Sequence, residues 1–124
     1  MQPMKVHMAE FPLTPDVLEL IAERFKALAE PARLNILNVL REREMTVSEL
    51  MAATGLGQAN VSKHLQLLHS LGFVERRKEG LYVHYRLADE GVFQLCDIMC
   101  GRLLHEADMR SRLFKGGLSR SAGG

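Results

Sequence analysis

Residues 46–87 read TVSELMAATGLGQANVSKHLQLLHSLGFVERRKEGLYVHYRL, and the punctuation of this stretch decides the fold. Thr46-Val47-Ser48-Glu49 has the form of a capping box, in which hydroxyl and carboxylate bond reciprocally to backbone N–H groups at a helix start. Gly55 stands where a glycine commonly closes a helix. A second helix is predicted from 58 to about 70, with Val61, Leu65, Leu68 and Leu71 as its buried stripe. Two extended runs follow Gly72, at 73–77 and 81–87, around Lys78-Glu79-Gly80. Alternation in the second run puts Val83, Tyr85 and Leu87 on one side and Tyr82, His84 and Arg86 on the other.

Two short helices joined by a glycine turn and followed by a hairpin predict a mostly α fold with a β-hairpin wing, a winged helix-turn-helix. The second helix segregates its side chains. Gln58, Ala59, Asn60, Ser62, Lys63 and Gln66 fall on the open side and at the N-terminal end, and no acid occurs between 58 and 70. Gln and Asn can bond adenine edges in pairs, Ser can bond base or phosphate, and Lys and a helix N-terminus neutralise phosphate. A surface helix with only a structural role more often carries Glu–Lys pairs four residues apart. His64 lies at the edge of this face, where it either reaches DNA or packs inward. Arg77 and Lys78 are expected at the hairpin tip, placed to meet phosphates or a minor groove. A merely solvated tip is the plainer alternative.

The flanks read as support. Thr14-Pro15-Asp16 gives a capping hydroxyl, a proline at the first helical position and an acid in the first turn. Val17, Leu18, Ile21, Phe25 and Leu28 then form an apolar stripe. Glu30-Pro31 begins another helix over about 31–41, with Leu34, Ile36, Leu37, Val39 and Leu40 apolar and Arg33 reaching outward. A last long helix is expected over 89–114, capped by Asp89. Its stripe of Val92, Leu95, Cys96, Met99, Leu103 and Leu104 exceeds what the winged module needs, so it is expected to bury against a partner. First and last helices are therefore the expected dimer interface, through Val17, Leu18, Ile21, Val92, Leu95, Met99 and Leu103. Two-fold pairing would set two recognition helices about one DNA turn apart. Residues 1–13 read as a flexible arm, 14–114 as the DNA-binding and dimerisation domain, and 115–124 as a Gly/Ser-rich disordered tail.

At 124 residues, with 47% hydrophobic and 25% charged residues and no tryptophan, the chain belongs with small globular domains with an aliphatic core. Such a core stabilises a lone domain only marginally, so self-association is expected. Residues 10–56 carry net charge −3 and residues 57–86 net +3, so the positive end falls on the second helix and the hairpin. No apolar run approaches the ~18 residues of a membrane span, and the first residues lack the apolar core of a signal peptide. Two cysteines four residues apart do not suggest a secreted disulfide framework. A cytoplasmic, reducing location without membrane partners is expected.

The segments FKALAEPARLNILNVL and TVSELMAATGLGQANVSKHLQLLHSLGFVERRKEGLYVHYRL resemble the ArsR/SmtB family of bacterial winged-helix repressors over about residues 15–105. The resemblance implies a homodimer on a palindromic operator in double-stranded DNA, released by an inducer that is usually a thiophilic or transition metal, sometimes a reactive sulfur or redox species. It carries the DNA-reading role to Gln58, Asn60, Ser62, Lys63 and His64, and the wing role to Arg77 and Lys78. The family's sensory sites match less well. Its cysteine motif for arsenic or cadmium falls on Thr46-Val47-Ser48-Glu49-Leu50, which holds no thiol. Its zinc site on the last helix falls on Asp89, Gly91, Arg102 and His105, where two of the four ligands are missing and an arginine repels a cation.

What remains is Cys96 and Cys100, at i and i+4. Side chains four apart on a helix lie about 5–6 Å apart at Cβ, wide for a disulfide, which prefers about 3.5–4.5 Å. A soft ion held by two thiolates at about 2.3 Å each fits better. Four thiols across a dimer axis could also make an inter-subunit site or disulfide, and His105 or Asp97 could add a ligand beside Cys100. Inert packing as small hydrophobes is the other reading. The expected inducer is accordingly a thiophilic metal or metalloid, with no enzymatic cofactor. Redox or reactive-sulfur sensing through the same thiols is the alternative, and a winged helix that binds protein is a rival of another class. An enzyme is not expected: His64, His69, His84 and His105 are scattered, and no cluster supplies a nucleophile–base pair.

Overall fold

The computed structural model describes residues 11–113 and divides into two compact units, one up to Ala88 and one from Asp89. The tail expected over 115–124, and all but three residues of the expected arm, lie outside the described residues.

In the first unit, α1 spans Pro15–Leu28 and starts as its sequence dictates. Thr14 Oγ1 accepts the Val17 N–H at 3.3 Å, Pro15 takes the first turn and Asp16 faces the positive end of the helix dipole. Helix α2 spans Pro31–Val39, shorter than the expected 31–41 because the chain tightens into turns, with Arg41 N–H bonded to the Asn38 carbonyl and Glu42 N–H to that of Val39. Strand β1, Met45–Thr46, is only two residues long, and a two-residue strand has no periodicity for a sequence to display. Helix α3 is Val47–Thr54 and carries the reciprocal cap: Thr46 Oγ1 accepts from Glu49 N at 3.2 Å, and Glu49 Oε1 accepts from Thr46 N at 2.9 Å. Gly55 closes α3 at φ 81, the left-handed region where a side chain would strain the backbone.

Helix α4 spans Gln58–Ser70, as expected. Strands β2, Val74–Glu79, and β3, Tyr82–Leu87, complete a three-stranded antiparallel sheet in the order β1-β3-β2. Arg76 pairs with Tyr85, Arg77 with His84 and Lys78 with Val83, and Met45 and Thr46 pair with Tyr85 and His84 from the other side. Strand β2 thus runs two residues past its expected end at 77, while β3 starts one residue later than expected. Its turn is Gly80-Leu81, and Arg77 and Lys78 lie within β2 rather than at the tip.

The core of this unit is aliphatic, as the absence of tryptophan requires. Ile36, Leu37, Leu50, Val61, Leu65, Leu68 and Val74 are all but completely buried, with Ala27, Leu40 and Met45 around them. Helix α4 supplies Val61, Leu65 and Leu68 at four- and three-residue steps, which fixes which of its faces looks outward.

The second unit is α5, Val92–Leu113, with a lead-in turn. Asp89 does not cap it as expected. Its Oδ1 accepts the Gly91 N–H at 2.6 Å, closing a turn ahead of the helix. Phe114, the expected last residue, lies outside the described residues.

Candidate nucleic-acid interface

Burial of Val61, Leu65 and Leu68 turns Gln58, Ala59, Asn60, Ser62, Lys63 and Gln66 to solvent, so all six positions expected on the open side of α4 are exposed. The N-cap is Gly57, which has no side chain to bond the first N–H groups, and no acid stands in the first turn. Those N–H groups and the positive end of the dipole therefore remain available to an anion.

His64 is the exception. It is buried, because the four-residue step from Val61 to Leu65 carries its neighbour inward as well. It faces Arg33, whose Nη1 lies 3.4 Å from His64 Nδ1. Arg33 does not reach outward either: its Nε donates to the Ala27 carbonyl at 2.7 Å, turning the guanidinium back to the last turn of α1. Burial, and then the positive charges of Arg33 and Lys63, push the His64 pKa below the ordinary imidazole value, although Glu30 opposes the shift. Neutral His64 can accept from Arg33 at Nδ1, a contact made inside the chain and away from the open surface of α4.

The hairpin separates its cations by face. On one face Arg77 donates to Glu44, at the entrance to β1, and to Glu79 Oε1 at 2.9 Å. His84 lies across from it, with Nδ1 3.9 Å from Glu44 and Nε2 3.6 Å from Glu79. The Arg77 guanidinium holds both carboxyls below the usual range, and its hydrogen bonds to them, then their charges, hold Arg77 above its own. On the same face Arg86 grips Glu75 at 2.8 Å. Arg77 is thus engaged in tying the three strands together. Arg76 and Lys78, on the opposite face with Val74, carry no ion pair among the described residues. Sequence reasoning missed this brace, although the register that places Arg77 opposite His84 was implicit in the two runs around Gly80.

Helix α5 holds both thiols free, Cys96 half-buried and Cys100 exposed. Among the described residues no three His, Cys, Asp or Glu side chains come together as a metal site, so the third ligand expected from Asp97 or His105 is not assembled within one chain. The expected dimer positions are largely uncovered: Leu18, Leu95, Met99 and Leu103 are 48, 43, 63 and 63% exposed, while Val17 and Ile21 are half-buried. Val92 is the exception, already buried within its own chain.

Residues 30–76 match the family described as bacterial regulatory protein, arsR family. A transcriptional repressor SmtB homolog of Synechocystis is 37% identical over 100 residues, which cover 76% of this chain and 75% of that protein. The chain belongs to the arsR family. Its fold agrees. The homodimeric winged helix-turn-helix domain of Mb0332 from Mycobacterium bovis superposes with a TM-score of 0.67 at 33% identity, over 81% of this chain and 95% of that one. The AntR antimony-specific repressor superposes with a TM-score of 0.66 at 26% identity, over 88% and 98%. Against two mycobacterial relatives the match spans 65% and 60% of their length. The curated relatives of this arsR-family chain are named as transcriptional regulators and repressors.

Proposed function

We propose that two copies of this chain grip a palindromic operator in double-stranded DNA as a repressor, and let go when a thiophilic metal or metalloid binds Cys96 and Cys100. The observation that carries the DNA-binding half is the outward face of α4, which presents amide, hydroxyl and ammonium groups with no acid from Gln58 to Ser70. Gln58, Ala59, Asn60, Ser62 and Lys63 read the major groove in this scheme. Lys78 meets phosphate from the wing, with Arg77 holding the wing in shape.

Self-association is supported by the uncovered apolar side chains of α1 and α5 and by the homodimeric neighbour. In this reading 14–114 is the DNA-binding and dimerisation domain, and a two-fold axis sets the paired α4 helices about 34 Å apart. The inducer reading rests on chemistry. Cys96 and Cys100 share one helix face and one of them is open to solvent, and antimony(III) and arsenic(III) favour thiolates. Because one chain offers only two such donors, the site would be completed by the second copy or by solvent ligands. No helix among the described residues is long and apolar enough to cross a membrane.

The test is a duplex enriched by the full chain from a random-sequence pool, followed by fluorescence anisotropy against salt. A steep fall in affinity with salt is expected, shallower after Lys63→Gln and weaker overall after Asn60→Ala with Ser62→Ala. Failure to enrich any sequence, or affinity indifferent to salt, would sink the reading in favour of a protein-binding module.

A further inference from the structure

The apex of the wing carries a leucine. Leu81 is 96% exposed, on a turn of only two residues between β2 and β3. A lone exposed leucine is unremarkable on a protein surface. The surroundings of Leu81 set it apart. The last strand pair, Glu79 with Tyr82, closes directly beneath it, and Gly80 takes φ 62 to turn the chain, so the side chain is held out at the end of a paired stem.

That stem is braced on one face and cationic on the other. Arg77 ties β2 to Glu44 ahead of β1, with Glu79 and His84 in the same cluster, and Arg86 grips Glu75 further down. The opposite face leaves Arg76 and Lys78 exposed, with no carboxylate partner among the described residues. A stiff ribbon with unpaired cations along one side and an aliphatic point at its end complements a minor groove. The phosphates that rim the groove attract the cations, and the gap between base steps accepts an apolar wedge at the cost of unstacking.

We propose that Leu81 is a minor-groove wedge that bends the operator, with Lys78 and Arg76 fixing the ribbon to the flanking phosphates. The proposal rests on the DNA-binding reading above and adds deformation of the duplex as a contribution to its specificity. A sequence with a flexible pyrimidine–purine step under the wing would be preferred even though no group of the protein reads its edges.

The experiment uses the full chain and the enriched duplex, labelled at both ends for energy transfer. The parent is expected to shorten the end-to-end distance on binding. Leu81→Ser should straighten the complex and weaken binding on the order of tenfold, with the salt slope unchanged because no charge is lost. Lys78→Gln should lower the slope by about one and keep the bend. Leu81→Met should behave as the parent. Equal bending and affinity in the parent and Leu81→Ser overturn the wedge, as does a Leu81→Ser chain that sediments as a smaller species, since the leucine would then sit against a second copy. If the parent itself enriches no sequence, the DNA-binding reading fails rather than the wedge. Leu81 touches no core residue, so an unchanged melting temperature is the check that the variant is folded.

Discussion

Arg33 holds the last turn of α1 and helix α4 with one guanidinium: Nε donates to the Ala27 carbonyl at 2.7 Å, and Nη1 lies 3.4 Å from Nδ1 of His64. Otherwise the inner face of α4 is Val61, Leu65 and Leu68, and apolar contacts are non-directional. The Arg33–His64 contact adds a directional tie between α2 and the inner side of α4.

Burial of His64 beside Arg33 makes stability depend on pH in a definite sense. His64 has its pKa lowered in the folded chain, by burial first and then by Arg33 and Lys63. The unfolded chain therefore binds more protons between the folded value and about 6.5, and stability rises with pH across that window. As pH falls below about 6.5, His64 contributes a growing preference for the unfolded state. Urea unfolding of the parent and of His64→Gln at several values between pH 5 and 8 should show a shallower pH dependence in the variant. Parallel curves would show that His64 does not titrate differently on folding.

The capping box of α3 gives a second expectation. Thr46 and Glu49 satisfy two backbone N–H groups reciprocally, and the Thr46 backbone N–H is the largest cause holding the Glu49 carboxyl below its ordinary value. Thr46→Ala should lose about 1 kcal/mol in chemical denaturation, and Thr46→Ser should retain most of the stability. Because Glu49 has its pKa depressed, its share is present at neutral pH and lost as pH falls through the carboxylate range. An alanine variant as stable as the parent would mean that water replaces the cap without loss.

The core of the first unit is tested at Leu65, which is completely buried on the inner side of α4. Leu65→Ala should cost about 2–5 kcal/mol, through lost burial and the cavity left behind. Leu67, 36% exposed on the same helix, should tolerate alanine with less than about 1 kcal/mol lost. Similar losses at the two positions would mean that α4 is rotated from the orientation described.

These cases also show why some of the chain was legible in its sequence and some was not. Helix starts at Thr14 and Thr46, the stop at Gly55 and the full span of α4 were readable because caps and periodic stripes are local signals. The alternation of Tyr82 through Leu87 was likewise readable, and with it the faces of β3. Strand β1 was not, since two residues form a strand only through their partner. The placement of Arg77 failed for a related reason. A charged run around glycine looks like a loop until the register pairs Arg77 with His84 and brings Glu44 alongside, the Arg77–Glu44 contact spanning 33 residues of sequence. His64 lay on the boundary of a helical face, and the deciding group, Arg33, sits 31 residues away. The open surface of α4 was visible in composition alone because it is defined by an absence of acids.

The thiols give the last prediction. If Cys96 and Cys100 hold the inducer, the ligand acts by binding the DNA-released dimer more tightly than the DNA-bound one, and it can shift the equilibrium only by that difference. The serine pair Cys96→Ser with Cys100→Ser removes the donors and leaves α4 and the wing untouched. Its operator affinity without inducer should match the parent within about threefold. Antimonite or arsenite, titrated under reducing conditions, should dissociate the parent complex and leave the variant bound, and each single serine variant should respond at higher concentration. Peroxide or polysulfide in place of the metalloid separates oxidation from coordination, because oxidation consumes thiols that a reductant restores whereas a bound soft ion is removed by a competing dithiol. Release of the double variant by antimonite at the parent's concentration would locate the sensor away from α5, and a parent indifferent to every thiophilic ion would leave the cysteines as packing residues.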